Sequence, residues 1–130
     1  MALADTRPRT FNGCYVLVVE DEYLMADELD MVFTDLGATV LGPVGSIEEA
    51  HALVAASPRI DCAVLDINVR GELIFPVAER LVARGVPIMF TTGYDVGSMP
   101  EQFADYVRCQ KPVPIERIVR TAGRLIANGN

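Results

Sequence analysis

The sequence is short of the residues that most metal, redox and nucleotide chemistry requires. It has one histidine, His51, and three cysteines, Cys14, Cys62 and Cys109, with no C-x-x-C pair. An odd number of widely separated thiols makes neither a disulfide framework nor a zinc site; small buried positions in or beside strands account for them. His51 stands mid-helix after a capping signal, and neither a phosphohistidine nor a metal role is assigned to it. Both G-x-x-x-x-G-K-[ST] and G-x-G-x-x-G are missing, which removes the glycine-rich cradles for nucleotide phosphates. No apolar run approaches the roughly 20 residues that cross a bilayer. The opening MALADTRPRTFNG has no apolar signal core, so the expected location is cytoplasmic, with no membrane partner. Basic residues are scarce: 11 Lys and Arg against 18 Asp and Glu give a net charge of −7. Nucleic acid needs the opposite, a basic stripe, and is not expected as a partner.

What is present is a core. Hydrophobic residues make up 51% and charged residues 22% of 130, which fits one packed domain and argues against disorder. Residues 1–13 are polar, with Pro8 and Gly13, and read as a flexible lead-in to a domain over 14–128. From Tyr15 the chain alternates between short apolar runs and helical spacing. YVLVVE (15–20), ATVLGPV (38–44), DCAVLDI (61–67), PIMFTT (87–92) and YVRCQ (106–110) read as strands.

The intervening stretches 22–36, 47–56, 72–84 and 114–127 carry helical periodicity, and Gly37 and Gly85 punctuate two of them. Ser46-Ile47-Glu48-Glu49 matches the S-x-x-E capping box. The stretch 93–105, with two glycines and a proline, allows at most a short or mobile fourth helix. Five β/α units with near-continuous apolar strands predict a five-stranded, doubly wound parallel sheet. In such sheets ligands bind at the carboxyl ends of the strands, where strand order reverses.

Those carboxyl ends gather a specific set. Strand one ends in Glu20-Asp21, strand three in Asp66 followed by Asn68, strand four in Thr91-Thr92, and strand five runs into Lys111-Pro112. Hard carboxylate oxygens suit Mg²⁺ with retained waters. A carboxylate can also take up a phosphoryl group as a nucleophile, with a cation, a lysine and a hydroxyl neutralising the charge. Glu22 is assigned to the first turn of the following helix, which leaves Glu20, Asp21 and Asp66 as the working acids.

VLVVEDE, VLDIN, FTTG and QKP, in this order and on these elements, resemble the receiver domain of response regulators in two-component phosphorelays. The likeness spans about residues 14–127 and implies a flavodoxin-like (βα)5 fold. It implies Asp66 as phosphoacceptor, Asp21 as a direct Mg²⁺ ligand and Glu20 acting on the metal mainly through water. Asn68 would lend its backbone carbonyl, Thr92 would bind the phosphoryl group and Lys111 would pair with it. Thr92 is preferred to Thr91 because Gly93 follows it and leaves room.

Three departures stand out. The position three before the lysine, commonly aromatic, is Arg108; the Thr92–Lys111 segment is short; and INVRGE follows Asp66 where many receivers place a proline. IMFTTGY resembles the F-A-T-G-Y version of the fourth strand, in a subgroup of often stand-alone receivers. Tyr94 then becomes the candidate switching aromatic, with Asn68, Gly93 and Arg108 as tuning positions.

The expected donor is a histidine kinase or histidine phosphotransfer protein, and the expected output is contact with an unidentified downstream protein, since folded elements fill the chain. Such a chain is not a classical enzyme: self-phosphorylation and slow autodephosphorylation are expected. A Mg²⁺-dependent aspartyl-phosphate phosphatase or phosphotransferase is the alternative, but it usually needs a second acid two residues past the nucleophile, where Asn68 stands. An interaction module that never carries phosphate is the third reading.

Overall fold

The computed structural model describes residues 11–93 and 99–130. Five parallel strands form the sheet: β1 (Tyr15–Val19), β2 (Thr39–Val44), β3 (Cys62–Asp66), β6 (Ile88–Thr92) and β7 (Arg108–Gln110). Their spatial order is β2-β1-β3-β6-β7. Chain order therefore reverses between β1 and β3, which makes the cleft above those two strands the expected ligand position. Pro43 is tolerated because β2 is an edge strand, where a missing N–H costs no ladder bond.

Side-chain alternation along the strands divides the core in two. Leu17, Val19, Leu65 and Phe90 face α2 (Ile47–Ala56) and α3 (Phe75–Ala83), where Ala50, Val54, Val77 and Leu81 are buried. Val16, Val18, Val64 and Met89 face α1 (Tyr23–Asp35) and α4 (Ile115–Asn128), which contribute Leu29, Phe33, Ile118, Ala122 and Leu125. The doubly wound, flavodoxin-like architecture is thus the one the alternation predicts. Phe11, within the lead-in drawn from the sequence, is buried edge-on against Phe33, with ring centroids 5.1 Å apart.

The capping signal at Ser46 is real. Its hydroxyl oxygen accepts from Glu49 N–H at 3.1 Å and donates to the Glu49 carboxylate at 2.9 Å, so the glutamate returns to the cap hydroxyl. Arg84 closes the other end of α2, donating to the carbonyls of Val54 and Ser57 at 2.8 and 2.7 Å.

Two stretches differ from expectation. The helix read from residue 72 begins at Phe75, because residues 68–73 form a small antiparallel hairpin of β4 (Asn68–Val69) and β5 (Glu72–Leu73). Leu73, counted on the helix's apolar stripe, is 52% exposed. Pro76 gives the reason: it fits the first turn of a helix, whereas a start at 72 would set its ring against the Glu72 carbonyl. In the segment before β7, the described residues hold one 3-10 turn, Glu101–Phe103. Phe103 is pinned there by Phe75, Phe90 and Tyr106, with centroids 5.6, 5.5 and 5.4 Å away.

Candidate functional site

Burial delivers the acids. β1 and β3 are enclosed on both faces, so their ends carry Glu20 and Asp66 to the sheet's edge at 3% and 4% exposure. Asp21, one residue further, is exposed. Oxygens of Glu20, Asp21 and Asp66 lie within 4.8 Å of one another. Lys111 extends into this cluster from just beyond β7, its Nζ 2.9 Å from Glu20, 3.2 Å from Asp66 and 3.4 Å from Glu22. Its backbone N–H donates to the Thr92 carbonyl at 2.7 Å, which locks the ends of β6 and β7 together, and the Lys111–Pro112 peptide is cis.

The electrostatics are those of a site with excess negative charge. Burial pushes the Asp66 carboxyl up to about 7, and the Glu20 charge adds to the rise against the opposing pull of Lys111. For Lys111, burial alone would depress the ammonium, but its contacts with Glu20 and Asp66 outweigh that and raise it. Among the described residues, Glu20 Oε1 and Thr91 Oγ1 are buried without a hydrogen-bond partner. A buried carboxylate oxygen with no donor is costly, and a hard cation is the ligand that its chemistry fits.

The hairpin after Asp66 ties the cluster together. Asn68 N–H donates to Asp66 Oδ1 at 3.4 Å, Gly71 N–H donates to the Asn68 side-chain oxygen at 2.9 Å, and Arg70 N–H donates to Asp21 Oδ2 at 2.8 Å. Arg70 and Gly71 both have left-handed backbones, φ 52° and 83°. That pair of angles is the signature of a two-residue hairpin turn, and arginine there costs about 1 kcal/mol relative to glycine.

An open groove of about 1010 Å³ leads to Asp66, lined on the α1 side by Glu22, Leu24, Met25 and Glu28. Asn68, Thr92, Gly93 and Lys111 line it as well. Thr91 pairs with Asp66 in the ladder but is not part of the groove wall; Thr92 is. A Cβ on Gly93 would meet nothing within 4 Å, so the backbone there leaves open space.

Asp66, Glu20, Asp21, Asn68, Thr92, Gly93 and Lys111 therefore converge. Arg108 does not: it is exposed at the start of β7. Tyr94 lies outside the described residues. Glu22, expected with the first turn of the helix, is the N-cap of α1, its carbonyl accepting from the Ala26 N–H at 2.9 Å, but its carboxylate turns back to Lys111. Cys62 and Cys109 are buried and Cys14 half-buried, and burial pushes the Cys62 thiol up to about 12, so it is inert at neutral pH.

No protein-family model matches the chain, and no curated protein does. Solved structures do. SdrG from Sphingomonas melonis Fr1 is similar at 35% identity and TM-score 0.74, over 91% of this chain and 98% of that one. The response regulator REC domain of PhyR from Erythrobacter litoralis is similar at 26% identity and TM-score 0.70, over 88% of this chain and 89% of that one. The chain belongs to the response-regulator receiver family. A structure of SdrG in its BeF3-activated conformation matches this receiver at 34% identity and TM-score 0.69, over 93% of this chain and 99% of that one. Among its described residues, the receiver has no helix long and apolar enough to cross a membrane.

Proposed function

We propose that this receiver accepts a phosphoryl group from a phosphohistidine donor onto Asp66 and passes the signal on by protein–protein contact in the cytoplasm. The observation that carries this reading is Lys111 Nζ at 3.2 Å from a buried Asp66 that shares it with Glu20. In the transfer, an Asp66 carboxylate oxygen bonds to phosphorus as the P–N bond to the donor imidazole breaks, and the electron pair leaves on the imidazole nitrogen. Thr92 and Lys111 hold the phosphoryl oxygens, and Gly93 leaves room for them.

Glu20, Asp21, Asp66 and the Asn68 backbone carbonyl would hold Mg²⁺, which when bound neutralises charge on the acids and on the transferred group. The donor is a histidine kinase or histidine phosphotransfer protein. Leu24, 76% exposed, lines the groove, and Tyr23, 78% exposed, precedes it at the start of α1; a folded donor can cover such a pair. The acting unit is the domain through residue 128. Its fourth strand belongs to the F-A-T-G-Y subgroup, with Tyr94 as the switching aromatic. Amide shifts over residues 92–111 on phosphorylation should collapse in Tyr94→Ala; shifts that survive remove Tyr94 from the switch.

Incubation with Mg²⁺ and a phosphorylated kinase, or with a small phosphodonor, tests the central reading. The expected label is acid-stable and alkali-labile, and it falls at least a hundredfold in Asp66→Ala. No label with a competent kinase would make the chain an interaction module.

A further inference from the structure

Glu22 has a position the transfer reaction does not yet use. It occupies the N-cap position of α1 with an extended backbone, φ −80° and ψ 109°, yet makes no side-chain cap bond. Cap residues ordinarily spend their side chain on the helix's own N–H groups. Here the carboxylate lies 3.4 Å from Lys111 Nζ, while the Glu22 N–H donates to Glu20 Oε2 at 3.0 Å and fixes the residue over the site. The side chain is 60% exposed and lines the groove through which a donor must approach Asp66.

Charge arithmetic gives this placement a consequence. A divalent cation and Lys111 together carry as much positive charge as Glu20, Asp21 and Asp66 carry negative. Among the carboxylates that Lys111 touches, Glu22 is the one outside that balance, while the Arg70 guanidinium lies on the far side of the cluster, near Gly45 and Asp21. We propose that Glu22 is a specificity-determining residue that selects among phosphodonors by charge, because its carboxylate stands at the mouth of the loaded site. The inference rests on the receiver reading above. A small anionic donor is repelled in proportion to its charge, by about threefold per unit charge at roughly 6 Å in water. A phosphoimidazole borne on a protein brings contacts of its own and is not limited in this way.

The test compares acetyl phosphate, a dianion, with phosphoramidate, a net monoanion, at saturating Mg²⁺ and low ionic strength. In each, an Asp66 oxygen bonds to phosphorus as the P–O bond to acetate or the P–N bond to ammonia breaks. Glu22→Gln should raise the second-order rate about ninefold with acetyl phosphate and about threefold with phosphoramidate, both gains fading near 0.5 M salt. Glu28→Gln, on the same wall but outside the Lys111 ion pairs, should shift the ratio of the two donors less. Independently of turnover, Glu22→Gln should bind beryllofluoride about threefold tighter with Mg²⁺, read from the Thr92 and Lys111 amide shifts.

An unchanged donor ratio in Glu22→Gln, with Asp66 still labelled, overturns this proposal and leaves the receiver reading intact. So does an equal shift in Glu28→Gln, or unchanged beryllofluoride affinity. A wild-type chain that takes no label from any donor overturns both.

Discussion

At the amino ends of β1 and β3, Asp61 accepts from the Tyr15 N–H at 2.8 Å and from Arg59 Nε at 3.1 Å, and the Arg59 guanidinium lies 5.3 Å from the Tyr15 ring centre. One acid meets one cation and one backbone donor, and nothing is left over. At the carboxyl ends of the same two strands, one lysine faces Glu20, Glu22 and Asp66, with Asp21 beside them and a Glu20 oxygen unpartnered. Both ends carry carboxylates on the same pair of strands, so the sheet itself does not impose the imbalance. One end balances its charges within the folded chain; the other leaves carboxylates in excess, as the proposed Mg²⁺ and phosphoryl site would require.

The contrast can be broken experimentally. Lys111→Met leaves the buried Glu20 and Asp66 without their cation and should cost about 3 kcal/mol in metal-free urea unfolding, much of it regained with Mg²⁺. A cost under about 1 kcal/mol would mean that the upper cluster is as well solvated as an ordinary surface.

Next in size is pH. The folded-state value for Asp66, about 7, lies above the ordinary carboxyl value of 3.8, so the folded protein binds the extra proton between them. Metal-free stability should therefore be highest below the lower value and fall by on the order of 2–3 kcal/mol as pH rises through the upper one. Asp66→Asn removes that slope, and Mg²⁺ should flatten it in the wild type. A slope that persists in Asp66→Asn assigns it to other groups.

The smallest effect is expected at the other end. Arg59 is 61% exposed, and Arg59→Ala should cost less than about 1 kcal/mol, independent of Mg²⁺. A Mg²⁺ dependence there would show that the two ends are coupled.

Much of this was legible in the sequence because the signals are local and redundant. An apolar strand that stops at an acid, as VLVVED and AVLD do, announces both the strand and its exit toward solvent. Repeating the β/α pattern then brings Glu20, Asp21, Asp66 and Lys111 to one edge. What was not legible depends on single contacts. A two-residue strand has no period to detect, so Asn68–Val69 and Glu72–Leu73 passed for loop and helix, although Arg70-Gly71 before Pro76 carried a turn signal. The contact of Glu22 with Lys111 is hidden from sequence for a similar reason. Acids are common at helix starts, and sequence spacing says nothing of a lysine 89 residues away that draws the side chain back.

The Arg70–Gly71 turn has a practical side. Exposed hairpin tips are ordinarily where an epitope tag or a reporter domain is grafted, since surface turns absorb added length. This one is a poor graft point, because the Arg70 N–H at its tip aligns Asp21 and the Asn68 N–H at its base reaches Asp66. An inserted Gly-Ser pair between Arg70 and Gly71 should weaken Mg²⁺ binding without altering any carboxylate. A biosensor made from this protein would do better to carry its label on the outer face of α2, far from the acids it is meant to report.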